Sequence, residues 1–140
     1  MTTSDKNPAK ANSELYFIYG TLKRGGSNED LLRRSEYIKH IRISDFSLFQ
    51  DQWQQYPKMV RTDGGAVVGE LWRVGNKEAS AIHQMETSYG YKKEVVGNLT
   101  GEKVYSYVYL YRVDVTPTER PTAHEFNVAT NKTLVVGFRA

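Results

Sequence analysis

The chain of 140 residues has no cysteine. That excludes disulfides, thiolate nucleophiles and Cys-based metal sites. It has no apolar run approaching the length of a membrane span, and its first dozen residues lack the apolar stretch of a secretory signal. A cytoplasmic protein without a membrane partner is therefore expected, and the glycosylation sequons Asn98-Leu99-Thr100 and Asn131-Lys132-Thr133 carry no meaning there. Strong charge of one sign is missing too. The formal net charge is +3 with acidic and basic residues interleaved, which gives a nucleic-acid partner only thin support. The three histidines, His40, His83 and His124, are scattered and form no His-Glu-x-x-His pattern, so a metal centre is not expected. No nucleophile elbow with a Ser-His-Asp set is present. Gly20-Thr21-Leu22-Lys23-Arg24-Gly25-Gly26 begins like a phosphate loop but lacks the Lys-Ser/Thr pair that would touch phosphate and magnesium.

What is present suffices for one folded unit. Hydrophobic residues make up 39% and charged residues 25% of the chain, with no biased tract, so a core can form. Residues 1–13 are polar and read as a disordered arm. Residues 14–140 read as a single domain, with an extension from about residue 117, where Pro117 and Pro121 interrupt the pattern. The short apolar run Leu134-Val135-Val136 is expected to add an edge strand.

The stretch Leu15-Tyr16-Phe17-Ile18-Tyr19 reads as a buried strand. It runs into Gly20-Thr21-Leu22 and a glycine-bearing loop of little apolar content. A strand that ends in a glycine turn presents backbone N–H groups at a sheet rim, and such groups can hold a carboxylate or an oxyanion. Asn28 then reads as the N-cap of a short helix ending near Ser35. Tyr37 to Phe49 changes alternation phase near Ser44-Asp45, which predicts a bulge or bend that curls the sheet. Asp63-Gly64-Gly65 is a hairpin signal, and Gly69, inside the strand Ala66 to Val74, marks close approach of another element. Asn76 is expected to cap the main helix, Lys77 to about Thr87, with Ala79, Ile82 and Met85 or Glu86 on one face. From Glu102 onward Val104, Val108 and Leu110 alternate with Tyr105, Tyr107, Tyr109 and Tyr111. That tyrosine row is either a base-stacking platform or, the reading preferred here, a second core face. Together these elements predict an α+β fold: a small, curved, mostly antiparallel or mixed β-barrel with two main helices.

Glu86 is the leading candidate for chemistry. The plain alternative is a solvated glutamate near a helix end. Its place beside the apolar stripe, at the unfavourable end of the helix dipole, instead predicts a raised pKa and proton transfer near neutral pH. Glu70 is a candidate second acid, as in a glycosidase pair. His83, one helical step from Glu86, either meets that carboxylate or faces solvent.

Four motifs in order resemble the γ-glutamylcyclotransferase-like family, in its γ-glutamylamine cyclotransferase and AIG2-like branch. They are Tyr19-Gly20-Thr21-Leu22, Tyr56-Pro57, Val68-Gly69-Glu70-Leu71-Trp72-Arg73-Val74, and Ile82-His83-Gln84-Met85-Glu86 followed by Tyr91. The resemblance runs from about Tyr16 to Arg112. It implies that Glu86 is the acid/base and that Tyr19, Gly20, Thr21, Leu22 and Tyr91 hold the substrate. It further implies that a small γ-glutamyl amine or peptide is converted to 5-oxoproline and a free amine, without metal or organic cofactor. His83 stands where the family usually has Asp, and Lys93 where it usually has Arg. The alternatives are a non-catalytic small-ligand-binding protein of the same fold and, third, a nucleic-acid binder using the tyrosines with Lys23 and Arg24. The sequence does not address oligomeric state.

Overall fold

The computed structural model describes residues 12–50, 56–110 and 123–136. In chain order these form β1 (Ser13–Ile18), a single 3-10 turn (Glu29–Leu32), β2 (Glu36–Phe49), β3 (Lys58–Gly75), α1 (Asn76–Ser88), β4 (Tyr91–Leu99), β5 (Glu102–Tyr109), β6 (Ala123–Asn127) and β7 (Lys132–Val136). The strands make one mixed sheet in the order β4-β5-β1-β3-β6-β7, with β2 pairing β3 in addition. The pairs β1/β5 and β3/β6 are parallel; the others are antiparallel.

β1 lies inside this sheet, and its alternation feeds two cores. Leu15, Phe17 and Tyr19 join Ile43, Phe46, Met59, Val67, Leu71, Val108 and Phe126. Tyr16 and Ile18 face the other way, onto Leu22, Leu32, Trp72, Val74, Ile82, Tyr91 and Tyr107. Burial on both faces explains why the strand is apolar almost without interruption. Each large side chain so buried contributes about 1.5–3 kcal/mol. The tyrosine row is a second core face as read: Tyr107 is buried and Tyr105 and Tyr109 pack against the same cluster, while Tyr111 lies outside the described residues. α1 lays Ile82 into that cluster, with Ala79 and Met85 beside it.

Several expectations are corrected. Among the described residues there is one α-helix rather than two. Around Asn28 only a 3-10 turn forms, because Leu32 is its sole buried residue and no side chain caps it. Asn76 sits in the first turn of α1, and Gly75 occupies the cap position. The sheet's ladder does not close into a barrel; β4 and β7 end its path. β2 and β6 meet by side chains instead, through Leu48 N–H donating to His124 Nδ1 (3.1 Å) and His40 Nε2 against Glu125 Oε2 (3.2 Å).

Asp63-Gly64-Gly65 is not a hairpin turn but part of β3. It forms the wide side of a bulge, since Ser44 pairs with Ala66 while Phe46 pairs with Arg61. Opposite it Asp45 takes φ 69° and accepts the Gly64 N–H, and Gly64 takes φ 79°. Positive φ serves a bulge as well as a turn, so the bend expected at Ser44-Asp45 and the glycines opposite are one feature. Leu134-Val135-Val136 does lie in an edge strand, β7.

At Gly69 a Cβ would stand 2.5 Å from the Ile18 carbonyl oxygen and 2.8 Å from the Phe17 ring. This is the close approach the sequence marked, and it lets β1 lie flush on β3. Gly69→Ala is expected to destabilise the fold by about 1–3 kcal/mol through overpacking. Urea unfolding would show a lower midpoint with an unchanged slope.

Candidate active site

The parallel register of Leu15 with Val104 and Tyr16 with Tyr105 runs β1 and β5 out at the same end of the sheet. There they open onto a cavity of about 480 Å³, a size suited to a small metabolite. Tyr19, Gly20, Thr21 and Leu22 line it from the turn after β1, and Ser106, Tyr107 and Tyr109 from β5. The end of α1 supplies Met85 and Glu86. Tyr89 and Tyr91 follow, and Tyr56, Pro57 and Lys58 complete the wall. All six residues singled out from the sequence, Glu86, Tyr19, Gly20, Thr21, Leu22 and Tyr91, therefore border one hollow.

The turn after β1 is rigid, contrary to the free loop its composition suggested. Lys23 N–H donates to Gly20 O (3.0 Å), Gly26 N–H to Lys23 O (2.7 Å) and Asn28 N–H to Thr21 O (2.9 Å). Asn28 turns its amide onto Thr21 Oγ1 (2.8 Å) instead of capping a helix. Gly26 is pressed so close that a Cβ would fall 2.2 Å from Thr21 O. Two buried charges clamp the turn from outside. Glu70 accepts from Arg24 N–H (3.1 Å), Arg24 Nε (3.3 Å) and Trp72 Nε1 (3.0 Å). Lys23, only 7% exposed, donates to the Phe126 carbonyl (2.7 Å) beside Glu125. Among the described residues no backbone carbonyl accepts from the N–H groups of Gly20, Thr21 and Leu22. Gly20 itself lets Pro57 pack close, since a Cβ would stand 3.3 Å from its ring.

Glu86 occupies the last turn of α1, half-buried, and its carbonyl accepts the Tyr89 N–H (3.1 Å) that ends the helix. Burial pushes its carboxyl up to about 7 from an ordinary 4.5. Loss of hydration accounts for the shift. The surrounding hydroxyls respond in kind. Burial, then the nearby Glu86, raises Tyr19 and Tyr91 well above the ordinary tyrosine value. Both are fixed by main-chain carbonyls, Tyr19 Oη donating to Tyr107 O (2.7 Å) and Tyr91 Oη to Pro57 O (2.8 Å).

A family model described as "Gamma-glutamyl cyclotransferase, AIG2-like" matches residues 16–127. The chain belongs to this family. The match extends past Arg112 and takes in β6. Among solved structures the family member is similar to an uncharacterised protein from Pyrococcus horikoshii, at 20% identity and TM-score 0.62, over 71% of this chain and 80% of that one. It is also similar to an AIG2-like protein from Mus musculus, at 18% identity and TM-score 0.59, over 69% and 77% of the two chains. A structure titled gamma-glutamyl cyclotransferase aligns at 19% identity and TM-score 0.53, over 69% and 66%. At these identities the likeness is one of fold. No curated protein matches the sequence.

The remaining candidates fall elsewhere. Glu70 is consumed by Arg24 and Trp72 and does not line the cavity, so the glycosidase-like pair with Glu86 is not formed. His83 is exposed and bonds through Nδ1 to Tyr107 Oη (2.9 Å), not to Glu86. Lys93 pairs with Glu14 (2.9 Å) and covers the Tyr105 ring at 4.3 Å. Sequence reasoning did not single out Asn28, Tyr56, Lys58, Tyr89 or Tyr109 as cavity residues. Tyr56 stood in a motif of the resemblance, Tyr109 in the tyrosine row, and Tyr89 in a glycine turn directly after the helix.

The raised Glu86 pKa makes stability depend on pH. Below pH 4.5 the carboxyl is neutral in folded and unfolded chains alike. Between 4.5 and about 7 the unfolded chain releases its proton first, so folded stability declines, and above 7 the loss is complete. At ~1.4 kcal/mol per pKa unit, reduced for partial exposure, the loss is about 1–3 kcal/mol. Glu86→Gln is expected to melt above the wild type at pH 8 and together with it near pH 4, as read by thermal unfolding at both values.

Proposed function

We propose that this family member is a γ-glutamyl cyclotransferase, releasing 5-oxoproline and a free amine from a γ-glutamyl amine or peptide. The observation that carries the reading is one cavity lined both by Glu86, whose carboxyl burial pushes up to about 7, and by Gly20, Thr21 and Leu22, whose N–H groups meet no backbone carbonyl among the described residues. The substrate's α-ammonium gives a proton to the Glu86 carboxylate. The freed α-nitrogen attacks the γ-carbonyl carbon and a C–N bond forms. The main-chain donors hold the substrate carboxylate or the oxyanion. As the amide C–N bond breaks, Glu86 returns its proton to the leaving nitrogen; the ring nitrogen then sheds its surplus proton through the same carboxylate to the departing amine, which leaves as an ammonium. No water, oxidant or metal enters the balance.

A carboxyl titrating near 7 suits both proton transfers, because it is a competent base and a competent acid at neutral pH. Holding the substrate curled supplies much of the rest; effective molarities for well-oriented ring closures reach ~10⁵ M or more. The rigid turn after β1 favours such holding. The proposed location is the cytoplasm; no helix among the described residues is long and apolar enough to cross a membrane.

Purified protein incubated with a panel of γ-glutamyl compounds is expected to release 5-oxoproline, detected by chromatography. Glu86→Gln, folded by circular dichroism, is expected to lose about 10²–10⁴-fold in kcat. Equal product release by the variant would remove the mechanism, and ligand-induced thermal shifts without product would indicate a binding protein. The kcat/KM profile should rise with pH through an apparent pKa near 7, the value of the free-enzyme carboxyl.

A further inference from the structure

The cavity wall runs from buried residues to exposed ones. Tyr19 and Leu22, which flank the Gly20 turn, are buried, and the main-chain groups of that turn make this the polar end. The aromatic end carries the Tyr56 and Tyr89 rings, 5.8 Å apart, with the Tyr91 and Tyr109 rings 5.4 Å apart. Tyr89 is 61% exposed and Tyr56 45% exposed, side by side at the cavity mouth. Among the described residues neither burial nor a hydrogen bond explains this pair, and adjoining exposed aromatics mark a contact surface.

Among the described lining residues Glu86 is the only carboxylate and Lys58 the only cation. The Lys58 ammonium lies 4.8 Å from the Tyr109 ring centre, so that aromatic face already holds a cation. A second cation at this end would meet, among the described lining residues, no acid except Glu86.

Given the cyclisation proposed above, on which this assignment rests, we propose that the aromatic end is the leaving-group subsite, and that it takes a neutral aromatic amine or aromatic amino acid rather than a diamine. Glutamyl at the polar end puts the scissile amide beside Glu86. The leaving group then projects between Met85, Tyr56, Tyr89 and Tyr109. An aryl ring there buries its faces against the tyrosines, whereas a methyl group leaves the panel wet.

The test uses four conjugates of γ-glutamate: with phenylalanine, phenethylamine, alanine and 1,4-diaminobutane. 5-Oxoproline release is measured with the full chain, and binding of the intact conjugates by calorimetry with Glu86→Gln. The two aromatic conjugates are expected to exceed the other two at least tenfold in kcat/KM and in affinity. The first two arms separate an amino acid from a simple amine. In the double variant Tyr56→Ala/Tyr89→Ala the aromatic-to-alanine ratio of kcat/KM should fall about tenfold. Alanine or diaminobutane conjugates turned over as well as the aromatic ones, or an unchanged ratio in the variant, would overturn the assignment. Selective aromatic binding without turnover of any conjugate would retain the subsite and remove the cyclisation. Turnover without aromatic preference would do the reverse, and neither binding nor turnover would remove both.

Discussion

A carboxyl held away from water without a compensating partner is the constraint around which this molecule is arranged. Dehydrating an ionised group costs free energy unless hydrogen bonds or an opposite charge replace the lost hydration. Glu86 has neither among the described residues, and its proton affinity rises accordingly. Elsewhere the fold treats buried charge differently. Glu70 takes three donors and Lys23 takes a carbonyl with a carboxylate nearby. The contrast separates an acid whose pKa is raised from charges used as fasteners.

Those fasteners hold the turn after β1 in place. A glycine-bearing turn alone would sample many conformations. Here Glu70 grips it from β3 and its own Lys23 ties it to β6, while Asn28 and Gly26 close it on itself. Preorganised donors need no rearrangement as charge develops, which is where their advantage over water lies.

Much of this was legible in the residues. The run Leu15 to Tyr19 declared a strand buried on both faces, and the interrupted phase at Ser44-Asp45 declared the bend. Gly69 declared a close contact, and the stripe Ala79, Ile82, Met85 set the helix orientation. Local periodicity carries such information because each element must bury one face. The failures were of two kinds. Asp63-Gly64-Gly65 misled because the same backbone freedom serves a turn or a bulge, and only the partner strand decides which. Lys23, Glu70, Phe126 and the Pro57 carbonyl gave no warning because their partners stand far away in the chain; the Lys23–Phe126 bond spans 103 residues. How far α1 brings its terminal carboxyl over the β1 turn is likewise a property of the assembled sheet.

The Lys23 tether also bears on the order in which the protein matures during synthesis. Its acceptor lies in β6, which docks in parallel on Ala66–Val68 of β3, a pairing that must wait for the long intervening segment. On a ribosome the N-terminal turn is therefore made first and secured last. A nascent chain completes the raw parts of its pocket only with Tyr109, and the turn acquires a fixed bearing later still, once the distal hairpin emerges.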